Sequence, residues 1–231
     1  VHGAALISAN FPRSFIDLNR AENEHDPYLF AKDARPEDMD VSSAAKRGMG
    51  LVWRLTKDGT EIYDRPLTID EVEYRLEKYY RPYHATLSQT LDARHKRFSK
   101  VWHINCHSMP SVGHATDNDT GNKRPDFVVS DRMGKTSGFA FGDFIKATLE
   151  GMGYTVQVND PYQGAELVRR YGNPRDGRHS IQLEINRSLY MDEGAVKKHE
   201  GYAKLKDDMD TLIAATAEYV EKQLSDLRRV A

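Results

Sequence analysis

The sequence predicts an α/β chain: one domain with a mostly parallel sheet. Two observations point there. Short apolar runs of strand length alternate with amphipathic stretches of helix length, the pattern of a parallel sheet with crossover helices. The 231 residues, 39% of them hydrophobic, are enough for one domain with a substantial core. Neither an internal repeat nor a low-complexity linker interrupts the chain. A single domain over 1–231 is therefore expected, one that apparently lacks an N-terminal strand segment, because the chain opens on Val1 and runs at once into an apolar stretch.

The elements follow in order. "AALISA" (4–9) has the length and composition of a buried strand. Residues 21–37 are polar and carry prolines, which reads as a surface loop. "GLVWRLT" (50–56) and "TEIYD" (60–64) flank Asp58-Gly59, the signal of a hairpin turn. Thr68 and Glu71 have the spacing of a capping box. The helix they start continues through Val72, Leu76, Tyr79, Tyr80 and Tyr83, with Pro82 expected to kink or divide it, and runs on to about residue 98. "VWHINC" (101–106) reads as a strand with His107 at its end, "DFVVS" (126–130) as another, and "GDFIKATLEGMG" as a helix closed by Gly153. "YTVQVN" (154–159) and "HSIQLEIN" (179–186) are two further strands. Residues 194–229 read as one long amphipathic helix.

Composition removes several classes. A net charge of −2 gives no basic footprint for nucleic acid or an anionic membrane. No apolar run approaches the ~20 residues that span a bilayer. One cysteine excludes an internal disulfide and makes a reducing, cytoplasmic setting the simplest expectation. The glycines form neither G-x-G-x-x-G nor a P-loop, so no nucleotide is implied.

Four places in the chain hold residues that do chemistry. Ligands in open α/β sheets collect at the carboxyl ends of strands, and His107 and Glu184 both fall there. His107 suits a metal ligand through a ring nitrogen; a hydrogen-bonded turn histidine is the plain alternative. His103, four residues earlier on the same strand face, reads as packed; His114, in a loop, as a solvent-facing histidine ahead of a second ligand; and Cys106, on the opposite face, as core filler ahead of a nucleophile. Glu184 lies inside an apolar strand, where an ionised carboxylate must be paired or used. It is either a general base or the partner of Arg187. In "FPRSFIDLNR" (11–20), Arg13, Asn19 and Arg20 suit a carboxylate-binding loop, with Asp17 able to hold one arginine in place; a surface salt-bridge loop fits equally. "NDPYQGAELVRRYG" (159–172) reads as an ordered loop able to cover a pocket, and Asp131 with Arg132 as a local ion pair.

Taken together and in order, "RSFIDLNR", "EIYDRPL", "YYRPYH", "INCHSMPS", "RPDFVVSDRMG", "NDPYQGAELVRRYG" and "IQLEINRSLYMDE" resemble the N-formylglutamate amidohydrolases over about residues 3–225. The resemblance implies a zinc-exopeptidase-like fold, a three-layer α/β domain with a central, mostly parallel mixed sheet. It implies a metal-dependent hydrolase that cleaves N-formyl-L-glutamate to glutamate and formate, a step of histidine degradation. His107 is then a Zn2+ ligand, Glu184 the general base and Arg13 the residue that polarises the scissile carbonyl. Asn19 with Arg20 is the clamp on a substrate carboxylate. The partner is a small N-acyl amino acid, with neither nucleic acid nor membrane involved. The sequence departs from the family pattern at Asn105, where an aspartate is usual two residues before the histidine, and two further zinc ligands are expected from residues absent from this chain. Hydrolysis of another N-acyl amino acid or a peptide, or non-catalytic carboxylate binding, are the alternatives.

Overall fold

A computed structural model describes residues 3–114, 117 and 119–230. The chain divides into two compact units, one of Ile7–Thr90 with Ala165–Leu167, the other of Leu91–Gly164 and Val168–Ala231 with the first few residues.

The first unit is mostly irregular chain around helices. After the short α1 (Ser43–Lys46), α2 (Ile69–Arg75) opens on the expected capping box: Thr68 Oγ1 accepts from Glu71 N–H, and Glu71 returns to the Thr68 backbone. Hydrogen bonds from Arg65 and the Thr68 backbone hold the Glu71 carboxyl down at about 2. A π-helical segment, Leu76–Tyr80, then separates α2 from α3 (Arg81–Phe98). The division expected from Pro82 thus falls just ahead of it, where the ring's missing N–H frees carbonyls of the preceding turn. Ile16, Leu29, Phe30, Leu51, Val52, Val72 and Tyr80 form the core of this unit.

Two expectations fail here. Residues 21–37 are not simply a surface loop, because Glu24, His25, Asp26, Leu29 and Phe30 are buried. The burial is tolerated because the carboxylates have partners: Ser42 Oγ donates to Glu24 at 2.6 Å, and Arg54 Nε to Asp26 at 2.6 Å. The Asp58-Gly59 turn forms, with Gly59 at φ +86, but its flanks are joined by an isolated bridge, Leu55 with Glu61, and not by a ladder of two strands. The apolar residues Leu51 and Val52 go into the core instead of a ladder.

The second unit holds the sheet. Its strands are β1 (Val101–Met109), β2 (Phe127–Ser130), β3 (Val156–Val158) and β4 (Arg178–Asn186), in the order β1-β4-β2-β3. β1 with β4 and β2 with β3 are parallel, and β2 with β4 is antiparallel, so the sheet is mixed and mostly parallel. Ile181 and Leu183 of β4 pack with Phe127 and Val129 against Phe141, Ile145 and Leu149 of α4 (Phe139–Gly151) and Leu205 and Leu212 of α6 (Gly201–Val230). The short α5 (Glu166–Tyr171) lies between β3 and β4 in the chain, and a two-stranded ribbon, β5 (Met191–Asp192) and β6 (Lys197–Lys198), precedes α6. None of the described helices is long and apolar enough to cross a membrane.

Three further expectations are corrected. "AALISA" forms no strand and is exposed, with Leu6 91% accessible. Six residues gain nothing from strand geometry without a neighbouring ladder. Residues 194–200 are outside the long helix: Asp192 Oδ1 caps the Ala195 N–H, and Val196 takes φ +53, which turns the chain into the ribbon. β1 also continues to Met109, so His107 sits two residues inside its end.

Candidate active site

Strand alternation decides which β4 side chains meet the helices. Ile181, Leu183 and Ile185 belong to the apolar face, so Ser180, Gln182, Glu184 and Asn186 lie on the other. That second face is polar and still buried: Ser180, Gln182, Glu184 and Asn186 are each 6% exposed or less. The parallel register sets His103 opposite Ser180, Asn105 opposite Gln182 and His107 opposite Glu184. Paired residues of neighbouring strands share a face with Cα atoms roughly 5 Å apart. The two sequence-selected residues, the imidazole at 107 and the carboxylate at 184, are thus lateral neighbours on one sheet face.

Gln182 Nε2 donates to Glu184 Oε1 at 2.8 Å. Arg187, the alternative partner read from the sequence, donates through Nε to Ser108 Oγ at 3.2 Å. Asn105 is 8% exposed, and its Nδ2 has no hydrogen-bond partner among the described residues. Cys106 is on the opposite face and exposed, so it is not core filler; β1 is an edge strand of the sheet.

His103 is held as the sequence suggests, with Nδ1 2.8 Å from Ser180 Oγ. Burial pulls its ring down to about 4. The unfolded ring titrates near 6.5, so the unfolded chain takes up the proton first. Stability from this group is complete above pH 6.5 and falls as pH drops toward 4, by up to about 3 kcal/mol. His25 and His179 are lowered by burial too and act in the same direction. In denaturation curves taken between pH 7 and 4, His103→Gln is expected to lose less stability than the wild type on acidification. Parallel curves would remove His103 from the account.

The loops at the end of β2 complete this face, and they include a residue the sequence reading passed over. Asn159 Oδ1 accepts from the Asp131 and Arg132 backbone N–H groups, both at 3.0 Å, and its Nδ2 donates to Asp131 at 2.8 Å. Arg132 Nη1 donates to Gly164 O at 2.8 Å. Asp131 and Arg132 are therefore anchors for segment 159–164 and not a pair with each other. Ser130, which faces Gln182 across the β2–β4 ladder, donates to the Tyr162 carbonyl at 2.7 Å. The Tyr162 ring stands 5.2 Å from the Arg124 guanidinium. Burial, with a field that includes Glu184, keeps its phenol protonated up to about 12. Tyr162 is thus a neutral donor on the Glu184 side of the sheet. Its only signal in the sequence was the proline–tyrosine–glycine run of an ordered loop.

The arginine loop lies in the other unit. Asp17, 2% exposed, receives Arg13 Nη2 at 2.8 Å and Nε at 3.1 Å, the Asn19 backbone N–H at 3.0 Å and Trp53 Nε1 at 3.3 Å. Asp17 does hold an arginine, as the spacing suggested. Asn19 is buried, and its Oδ1 accepts the Leu167 N–H at 2.8 Å. Arg20 Nε donates to Met49 O at 3.2 Å and lies 3.4 Å from Glu24. Its Nη groups make no hydrogen bond among the described residues, which leaves the outer side of the fork available.

No group of three or more His, Cys, Asp or Glu side chains among the described residues is arranged to hold a metal ion. A catalytic zinc takes three protein ligands and keeps a fourth position open. The described residues alone do not fit that requirement.

Fold and face together define an α/β chain with a mixed sheet that sets an imidazole beside a carboxylate on a buried polar surface. A family model described as N-formylglutamate amidohydrolase matches residues 1–191, and the chain belongs to that family. It is 28% identical over 199 residues to the N-formylglutamate deformylase of Pseudomonas putida, covering 83% of this chain and 66% of that protein. It is 27% identical over 202 residues to the N-formylglutamate deformylase of Pseudomonas aeruginosa, covering 84% and 66%. The chain thus spans about two-thirds of the length of these curated relatives. The crystal structure of an N-formylglutamate amidohydrolase from Ralstonia eutropha JMP134 aligns with a TM-score of 0.85 at 38% identity, over 93% of this chain and 77% of that one.

Proposed function

We propose that the chain provides the catalytic face of an amidohydrolase that cleaves N-formyl-L-glutamate to glutamate and formate. The observation that supports it most is the β1–β4 register, which sets His107 beside Glu184 on a buried polar face. In this reading Glu184 takes a proton from the attacking water and passes it to the leaving nitrogen. The Gln182 amide donates to Oε1 of this carboxylate and helps to hold its orientation. Tyr162 O–H is the donor offered to the carbonyl oxygen as it gains charge; polarising that carbonyl is also the role that the family resemblance assigns to Arg13. Arg20, with its outer fork open, and Asn19 are assigned to a substrate carboxylate.

His107 is proposed as one ligand of a zinc ion, whose chemistry would be to lower the pKa of a bound water. The other ligands have to come from outside the described residues, so metal dependence is a separate proposal. Metal analysis and formate release, with and without added zinc, test it. Loss of activity on chelation and recovery with zinc support it; full activity after metal removal overturns it. The incomplete ligand set also motivates the second reading, a carboxylate binder without turnover. Binding of N-formyl-L-glutamate without formate release, at full metal loading, would decide for that reading.

Substrate choice is tested with N-formyl-L-glutamate beside N-acetyl and other N-acyl amino acids. The highest kcat/KM is expected on the formyl dicarboxylate; a flat profile would remove this assignment. Arg20→Met is expected to raise KM for N-formyl-L-glutamate about ten- to a hundredfold, the loss of one charge-assisted contact, with kcat changed much less. An unchanged KM would take the carboxylate clamp away from Arg20.

A further inference from the structure

At the opposite end of the sheet from Glu184 is an open cleft of about 640 Å3, built from the last turn of α3, the entry to β1 and the turn into β4. Arg178 begins β4 six residues before Glu184, which separates the two places by roughly 20 Å along the strand.

We propose that this cleft binds a small, multiply charged oxyanion of the phosphate class. Its lining donates hydrogen bonds and scarcely accepts them. Lys96, Lys100 and Arg175 all face it, and none of the three makes an ion pair or hydrogen bond within the described residues. Nearby cations behave differently: Arg178 is engaged by Asp92 at 2.8 Å and by Asp176 at 3.1 Å. Asp176, the one carboxylate in the lining, shares that guanidinium with Asp92, and a single carboxylate still leaves Lys96, Lys100 and Arg175 in excess. His179 contributes a further donor. Its Nδ1 accepts the Gly138 N–H at 3.0 Å, which puts the ring hydrogen on Nε2, and stacking on Trp102 at 5.6 Å fixes the ring plane.

The excess of unpaired positive charge is local, since the chain as a whole carries −2. The carbonyl end of α3 accounts for part of it, because a helix C-terminus attracts about half a unit charge. Three full charges exceed that requirement, and two of them, on Lys100 and Arg175, stand outside the helix. A single carboxylate would neutralise one cation of the three. A phosphate presents more charge and several acceptor oxygens, which the Arg175 fork and two ammonium groups match. The wall is also shaped with little freedom. Gly177 has φ +70, and a Cβ there would stand 2.6 Å from Ser99 O, so the two turns that form the cleft approach as closely as the backbone allows.

The test is titration of the folded chain with inorganic phosphate, followed by calorimetry and by the imidazole resonances of His179, with sodium chloride at matched ionic strength as the control. Saturable binding is expected, with His179 shifts that chloride does not reproduce. Lys100→Gln and Arg175→Gln should each weaken it about tenfold, and the two together with Lys96→Gln should abolish it. Arg20→Met and Glu184→Gln should leave it unchanged, which separates this site from the catalytic proposal. Absence of saturable binding, a response equal to that of chloride, or binding that survives the triple substitution but fails in Arg20→Met would each overturn the proposal.

Discussion

Glu184→Gln is expected to lower the rate of formate release by about two to four powers of ten, the usual contribution of a general base. The substitution keeps the shape of the side chain. Its Oε1 can still accept the Gln182 hydrogen bond, and thermal denaturation checks that the fold is retained. KM should change little, because the carboxylate is assigned to proton transfer and not to holding substrate. Glu184→Asp keeps the base but withdraws it by one methylene, and should fall between the two. An unchanged rate in Glu184→Gln, with thermal stability also unchanged, would take proton transfer away from this residue.

The second large effect is on stability. The Arg124 side chain is 1% exposed and donates to Asp119 through Nε at 2.7 Å and Nη2 at 2.8 Å, and to Asp117 through Nη2 at 2.7 Å. Burial alone would lower the guanidinium pKa, but the hydrogen bonds that Arg124 donates to Asp119 and Asp117 outweigh it and raise it. Arg124→Ala leaves two neighbouring carboxylates partly buried without their cation. Breaking a buried pair from one side costs about 3–5 kcal/mol, which for a chain of this size lowers Tm by roughly 10–15 °C. The hydrogen bond from Arg124 holds the Asp119 carboxyl below its ordinary value. Its contribution is therefore present at neutral pH and lost as pH falls through the lowered folded value. Arg124→Ala should lose that part of the acid sensitivity. Arg124→Lys keeps the charge without the fork and should recover part of the loss. A Tm within 2 °C of wild type for Arg124→Ala would show that the pairing contributes little. The same substitution also removes the cation beside the Tyr162 ring, so activity should fall even where the protein remains folded.

These effects mark how far the residues could be read in advance. Local rules found the Thr68–Glu71 cap, because both partners lie within one turn. The 179–186 run was legible because alternation of Ile181, Leu183 and Ile185 with Gln182 and Glu184 is itself the strand signal. Placing Glu184 against His107 needed only the further assumption that the two strands are parallel neighbours, which the register bears out. What failed depended on distant partners. "AALISA" has strand composition and no ladder. Glu24, His25 and Asp26 look like solvent-facing residues until Ser42 and Arg54 are brought to the carboxylates. Tyr162 was hidden because its position is set by Ser130 and Arg124, more than thirty residues earlier in the chain.

The central claim is that His107 and Glu184 work as one unit on one substrate. A double-mutant cycle on formate release from N-formyl-L-glutamate tests it most directly, with His107→Ala, Glu184→Gln and the two combined. Residues that act as a unit are strongly non-additive, so the double variant is expected to be about as slow as the worse single variant. Losses that multiply across the cycle would mean that the two side chains act independently and that the shared face on β1 and β4 is not the catalytic one.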